Sequence, residues 1–284
     1  MREIVVLSGK GGTGKTVLLA SFAALAPGNV LCDCDVDAAN LHLLLRPTFR
    51  EAHEFWARPV AAIDKEACSR CGLCLDVCRF DAIHEFEVDP LSCEGCGFCL
   101  QVCPEQAVTL RDNLGGHWYV SDTRYGPLVH ACLDPGQENS GKLVAVVRQK
   151  ARAVAKDEGS RYILSDGPPG IGCPVISSLS EASLTLIVTE PSLSAIHDLE
   201  RVLAVCRHFD VAALVCINKY DLDEEYSRLI ERYCCRAAVE VAARIPFDTR
   251  VSQAVAQGVP VVEFGDGVVS QRIEELWKAV AARC

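Results

Sequence analysis

Gly9-Lys10-Gly11-Gly12-Thr13-Gly14-Lys15-Thr16 satisfies G-x4-G-K-T and lies between an apolar run, Ile4 to Leu7, and a helix-forming stretch, Val17 to Leu25. Strand, glycine-rich turn and helix is the context in which such a loop cradles phosphates. The physics is local: successive backbone N–H groups and the positive end of a helix present a concavity to an anion. Gly11, Gly12 and Gly14 supply unusual backbone angles and close approach. Lys15 is expected to reach the β- and γ-phosphates of a nucleotide, and Thr16 to ligate Mg²⁺.

Outward from this loop the chain keeps one rhythm. Asn29 to Asp33 reads as a second strand ending in acidic residues, and further apolar runs occur at Tyr162–Leu164, Leu184–Val188 and Ala212–Ile217. Helical stretches such as Gly141–Ala155 and Ser192–Phe209 separate them. Short buried strands alternating with amphipathic helices predict an α/β fold, a parallel sheet covered by helices on both faces.

One segment breaks the rhythm. Cys68, Cys71, Cys74, Cys78 and Cys93, Cys96, Cys99, Cys103 form two C-x2-C-x2-C-x3-C runs, the second followed by Pro104. This is the spacing with which bacterial ferredoxins hold iron–sulfur clusters, the fourth cysteine of each run closing the other cluster. On that rule Cys68, Cys71, Cys74 and Cys103 hold one [4Fe–4S] cluster, and Cys93, Cys96, Cys99 and Cys78 a second. Zinc, which takes four ligands, is the alternative. The halves repeat with a period of about 25 residues, as in a two-cluster ferredoxin. The expected organisation is therefore residues 1–59 and 113–284 as one domain, with 60–112 inserted as a small α+β, bacterial-ferredoxin-like domain. Residues 113–139 read as a hairpin leading back to the main sheet. Arg79 stands where the first run would carry a proline, so the two clusters are expected to differ in potential.

Seventeen cysteines without a signal peptide point to reduced thiols and metal rather than disulfides, with a cytoplasmic location as the default. No apolar run approaches the roughly 18 residues of a membrane span. The net charge of −10 argues against nucleic acid. Ten acidic and four basic residues lie within 60–112, so −6 of that charge is in the expected insert, which a basic redox partner would suit. Cys32, Cys206 and Cys216 read as small core residues. Cys173 reads as part of a structural Gly-Cys-Pro turn. Ile273, Leu276, Trp277 and Val280 form one face of a last helix, with Glu274 and Glu275 against a membrane-binding role.

The second lysine, Lys10, makes the loop K-G-G-x-G-K-T, which resembles the deviant phosphate loop of the MinD/ParA/Mrp superfamily. The resemblance implies a nucleotide-sandwich homodimer in which Lys10 reaches the partner's ATP. Asp33-Cys34-Asp35-Val36-Asp37 matches the first switch, with Asp35 orienting water near Mg²⁺. Asp166-Gly167-Pro168-Pro169-Gly170 resembles the D-x-P-P-G second switch, Asp166 standing behind Mg²⁺ and Gly170 sensing the γ-phosphate. Asn218-Lys219-Tyr220-Asp221 looks like N-K-x-D, which with Pro246 of Ile245-Pro246-Phe247-Asp248 implies adenine recognition. The stretches Asp35–His42 and Glu138-Asn139-Ser140-Gly141-Lys142-Leu143-Val144 are similar to MinD-type ATPases containing an inserted ferredoxin domain. That likeness implies ATP, Mg²⁺ and two [4Fe–4S] clusters in an ATPase that is slow without a partner. The role expected is nucleotide-gated electron transfer. The alternatives are cluster assembly or delivery, and a positioning or redox-sensing ATPase with structural clusters.

Overall fold

The computed structural model describes residues 1–137 and 141–284; Glu138, Asn139 and Ser140, which open one of the stretches quoted above, lie outside the described residues. The chain divides into two compact units. The first comprises Met1–Ala52, Trp118–Cys132 and Asn139–Cys284, and the second His53–His117 with Leu133–Glu138.

Among the described residues thirteen strands occur in chain order: β1 (Arg2–Ser8), β2 (Val30–Asp33), β3 (Thr48–Trp56), β4 (Val60–Ile63), β5 (Ile83–His84), β6 (Glu87–Val88), β7 (Val108–Arg111), β8 (Leu114–Thr123), β9 (Gly126–Leu133), β10 (Tyr162–Pro169), β11 (Leu184–Thr189), β12 (Ala213–Asn218) and β13 (Glu240–Ile245). Nine of them form one sheet in the order β13-β12-β11-β1-β10-β2-β9-β8-β3. The pairs from β13 through to β9 are all parallel. A strand buried on both faces has no polar face to show, so β1 reads as a continuous apolar run, and Glu3 to Ser8 are all buried.

Alternation along β1 sends its residues to two cores. Ile4 and Val6 meet Leu19 and Phe22 of the helix Lys15–Leu25 and Ile273, Leu276 and Val280 of the helix Val268–Arg283. Val5 and Leu7 meet Leu199, Val202 and Leu203 of the helix Ala195–His208 on the other face. The last helix is thus a core helix: Trp277 packs at 5.2 Å on Phe22 and edge-on at 5.7 Å on Tyr162. Among the described residues no helix is long and apolar enough to cross a membrane. Cys32, Cys34, Cys206, Cys216 and Cys234 are buried, and Cys173 begins the helix Cys173–Leu179.

The second unit has its own architecture. Antiparallel β4 and β7 pair from Val60↔Arg111 to Ile63↔Val108, and antiparallel β5 and β6 form a second ribbon. Two five-residue helices, Leu73–Val77 and Phe98–Val102, each follow a left-handed glycine, Gly72 (φ +85) and Gly97 (φ +71). The halves correspond at an offset of 25 positions. Ala82 N–H donates to Cys78 Sγ at 3.4 Å and Ala107 N–H to Cys103 Sγ at 3.3 Å. This unit is wider than the 60–112 read from the cysteines. Ala57 N–H donates to the Asn113 carbonyl at 2.9 Å and Asp134 N–H to the Gly115 carbonyl at 3.0 Å, drawing in flanks that carry no cysteine signal.

Candidate nucleotide and cysteine sites

The phosphate loop leaves β1 and enters the helix Lys15–Leu25 through Gly14 at φ +95. A Cβ on Gly14 would stand 2.5 Å from Asn218 Nδ2. Gly12 also holds positive φ (+79), whereas Gly11 does not. Gly9 is fixed by close approach instead, since any side chain there would run into Asp198 on the helix Ala195–His208. Lys15 is buried at 6% exposure beneath the loop.

The loop borders a cleft of about 700 Å³ lined by Gly11, Gly12, Gly14, Lys15, Thr16, Asp35 and Asp37, with Pro168 and Pro169 opposite. Thr16 Oγ1 donates to Asp166 Oδ2 at 2.6 Å, tying the helix start to β10. Asp33 anchors the segment after β2, accepting from Asp35 N–H at 3.1 Å and Leu41 N–H at 3.2 Å. Gly170 (φ +90) donates its N–H to the Ser8 carbonyl at 2.9 Å.

Three carboxylates cluster at this site, Asp35 lining the cleft and Asp33 and Asp166 buried behind it. Burial, with a smaller push from the charge of Asp35, brings Asp166 up to about 7, outweighing Thr16 and Lys15, which lower it. Burial first, then the charge of Asp166, holds Asp33 well above the carboxylate range. Burial also raises Asp35, which Lys15 opposes and Asp37 reinforces. Two buried oxygens of the site, Asp166 Oδ1 and Thr13 Oγ1, have no hydrogen-bond partner. Crowded carboxylates beside an orphaned oxygen and a threonine hydroxyl are the donor set that a hard, hydrated divalent cation takes.

The remaining expected residues divide. Asn218 Nδ2 donates to the Thr13 carbonyl at 2.8 Å, bracing the loop. Asp221 Oδ1 accepts from Phe247 N–H at 2.6 Å, joining the turn after β12 to the turn after β13. Pro246 is not brought to the phosphate-loop cleft; it lines another with Tyr220, Glu231, Arg244 and Arg272. Lys10 Nζ sits against Glu190 Oε1 and Ser192 Oγ, both at 2.9 Å. Sequence reasoning missed Glu190 and Ser192, which follow β11 about 180 positions from Lys10 and belong to no motif; Lys219 lies within the quoted Asn218-Lys219-Tyr220-Asp221 stretch, but its contacts with Gly12 and Glu190, some 207 and 29 positions away, carry no sequence signal.

In the second unit one recess is lined by Cys78, Cys93, Cys96 and Cys99 together with Phe80 and Phe98. Cys78 comes from the first run and the other three from the second. Cys74, Cys93 and Cys99 are buried, Cys71 and Cys96 exposed. Ala61 N–H donates to Cys93 Sγ at 3.4 Å, and Arg58 Nε to the Cys93 carbonyl at 3.1 Å. Cys68 lines a separate cleft with Lys65, Arg70 and Glu87. Among the described residues no three Cys, His, Asp or Glu side chains converge as ligands of a single metal ion.

Residues 4–261 match the CobQ/CobB/MinD/ParA nucleotide binding domain family. An uncharacterized protein of Methanocaldococcus jannaschii is 32% identical over 279 residues, covering 97% of this chain and 95% of the relative. Among solved structures, the cell division ATPase MinD of Pyrococcus furiosus superposes with a TM-score of 0.60 at 20% identity, covering 100% of this chain and 99% of the other. The septum site-determining protein MinD of Pyrococcus horikoshii, complexed with Mg-ADP, gives 0.59 at 18%, covering 98% and 95%. The match spans the phosphate loop, the Asp35 and Asp166 segments and the Asn218 turn, and the chain belongs to this family as one of its P-loop ATPases.

Proposed function

We propose that the chain is an ATP-hydrolysing iron–sulfur protein that works as a homodimer and passes electrons under nucleotide control. The observation that carries the redox half is the meeting of Cys78 with Cys93, Cys96 and Cys99 at one recess. That is a complete set of four thiols drawn from both halves of the repeat, as the ferredoxin rule requires. The absence of a three-ligand focus for one ion does not oppose it, because a cubane needs thiolates spread around its corners. Backbone N–H groups on Cys78, Cys93 and Cys103 sulfurs suit thiolates that carry charge. A [4Fe–4S] cluster, when bound, supplies one-electron chemistry; the residues that would hold the pair are Cys68, Cys71, Cys74, Cys103 and Cys93, Cys96, Cys99, Cys78.

At the nucleotide site the Mg-ADP of the Pyrococcus horikoshii relative supports ATP and Mg²⁺ here, and the unpaired Asp166 oxygen fits a hydrated cation. Lys15 and the loop amides would hold the phosphates, Thr16 the cation, and Asp35 the attacking water. Lys10 would complete the site of a second copy. Lys15→Ala is expected to lower hydrolysis by about 100-fold or more while leaving iron content intact, measured by phosphate release and iron analysis.

The deciding experiment is EPR of anaerobic, dithionite-reduced protein with and without MgATP. About two spins per chain are expected, and none would end the cluster reading. A nucleotide-dependent line shape or midpoint potential is the expected sign of gating. Identical spectra, together with cluster transfer to an apo-acceptor, would turn the reading to delivery; Cys71 and Cys96, both exposed, favour that second reading.

A further inference from the structure

Glu190 follows β11, and each of its carboxylate oxygens is held by a different lysine. Lys10 Nζ lies 2.9 Å from Oε1 and Lys219 Nζ 3.0 Å from Oε2. Lys10 also donates to Ser192 Oγ at 2.9 Å, and Lys219 to the Gly12 carbonyl at 3.1 Å. The group is partly shielded, Glu190 being 21% exposed and the lysines 35% and 29%. Burial works against the Glu190 charge, but hydrogen bonds from Lys10 and Lys219 outweigh it and hold the carboxyl below its usual range. Lys219 adopts φ +54, a left-handed conformation that a residue with a Cβ keeps only where its surroundings impose it.

An anion gripped by two lysines at the rim of a phosphate loop occupies the electrostatic role of a phosphate. The grip is asymmetric. Lys219 is tied to the loop itself through Gly12, whereas the other partners of Lys10, Glu190 and Ser192, both lie beyond the loop on the segment after β11. We propose that Glu190 is a positioning residue that parks Lys10 within its own chain, so that self-association on ATP must first break the Lys10–Glu190 pair. The inference rests on the reading that Lys10 acts on the nucleotide of a second copy. One ammonium cannot pair with the Glu190 carboxylate and a partner's phosphate at full strength together, so the cis pair sets a threshold that the trans contact must exceed. A partly exposed ion pair of this kind is worth at most about fivefold in an equilibrium constant.

The test is sedimentation velocity of the full, cluster-loaded chain across a concentration series with Mg²⁺ and adenylyl-imidodiphosphate. Glu190→Gln is expected to lower the half-association concentration by about fivefold, and Ser192→Ala by a smaller factor in the same direction. On a Lys10→Ala background Glu190→Gln should have no effect, an interaction that a merely structural brace would not produce. Half-association at the wild-type concentration or above in Glu190→Gln overturns the inference. Should Glu190→Gln fail to show the nucleotide-protected thermal transition of the wild type, Ser192→Ala decides alone, and an unchanged value overturns it. Lys10→Ala associating like the wild type sinks instead the reading that Lys10 works in trans.

Discussion

Gly14 and Asn218 stand so close that each dictates the other. Asn218 Nδ2 holds the Thr13 carbonyl at 2.8 Å and fills the space a Cβ on Gly14 would need. Gly14→Ala therefore carries two penalties, a clash and a left-handed φ costing about 1–2 kcal/mol. Nucleotide affinity should fall at least tenfold in Gly14→Ala, and Asn218→Ala should restore only the steric share, measured by titration with a fluorescent ATP analogue. His130 makes the second case. Buried at 5% exposure, its Nε2 lies 3.1 Å from Ser121 Oγ, with its ring 5.2 Å from Tyr119 and 5.9 Å from His42. Burial, with a smaller contribution from the charge of His42, pushes its pKa down to about 4. The unfolded chain, with His near 6.5, then binds the extra proton between about pH 4 and 6.5, so stability rises with pH across that window and is lost on acidification. Urea midpoints in wild type should climb from about pH 4.5 to pH 7, and His130→Gln should flatten the climb by up to about 3 kcal/mol. A parallel climb in the variant would remove His130 as the cause.

At the scale of elements, β1 shows what an apolar run conceals. Its period and flanks made it legible as a buried strand, yet Glu3 within it is buried. Arg148, on the helix Lys142–Asp157, meets the two Glu3 oxygens at 2.7 and 2.8 Å and also holds the Ser180 carbonyl at 2.7 Å and that of Ser177. Ser165 donates to the same carboxylate at 3.1 Å and Arg152 at 3.0 Å. None of this was readable, because the partners lie some 145 to 162 positions away and follow no motif. β10 likewise runs to Pro169 rather than stopping near Leu164, since Ser8↔Pro169 pairing with β1 carries the strand through Asp166 and Pro168. The strands and the phosphate loop were legible because period and glycine spacing are local; the charge network was not, because only packing creates it. Removing one partner of a buried pair leaves an uncompensated charge, so Arg148→Ala should cost roughly 3–5 kcal/mol in urea unfolding. Glu3→Gln with Arg148→Met should cost markedly less. Equal losses in the two variants would mean that packing, rather than charge, supplies the effect.

At the scale of the whole molecule the two units differ in what fills them. The first buries leucines, isoleucines and valines on both faces of a broad sheet, with Leu19, Phe22, Leu164 and Leu203 almost wholly enclosed. The core of the second is small and includes proposed cluster ligands: Cys74, Cys93 and Cys99 are buried with Ala61, Ala82, Ile83 and Val108, and Cys78 and Cys103 pack against them beside Val60, Ile63 and Val88. Spacing made those cysteines legible, but not that they are also part of the core. A unit of this size rarely stands on so little apolar burial, and metal ligation then becomes folding energy. On the cluster reading, anaerobic removal of iron should therefore unfold the second unit and leave the first intact. Calorimetry of the loaded protein should show a transition that disappears with the iron, while a second, raised by MgATP, keeps its midpoint within a few degrees. An unchanged thermogram after complete iron loss would mean that the cysteines pack as ordinary side chains and that the redox half of the proposal fails. Loss of both transitions would instead show that the core of the first unit depends on iron bound in the second.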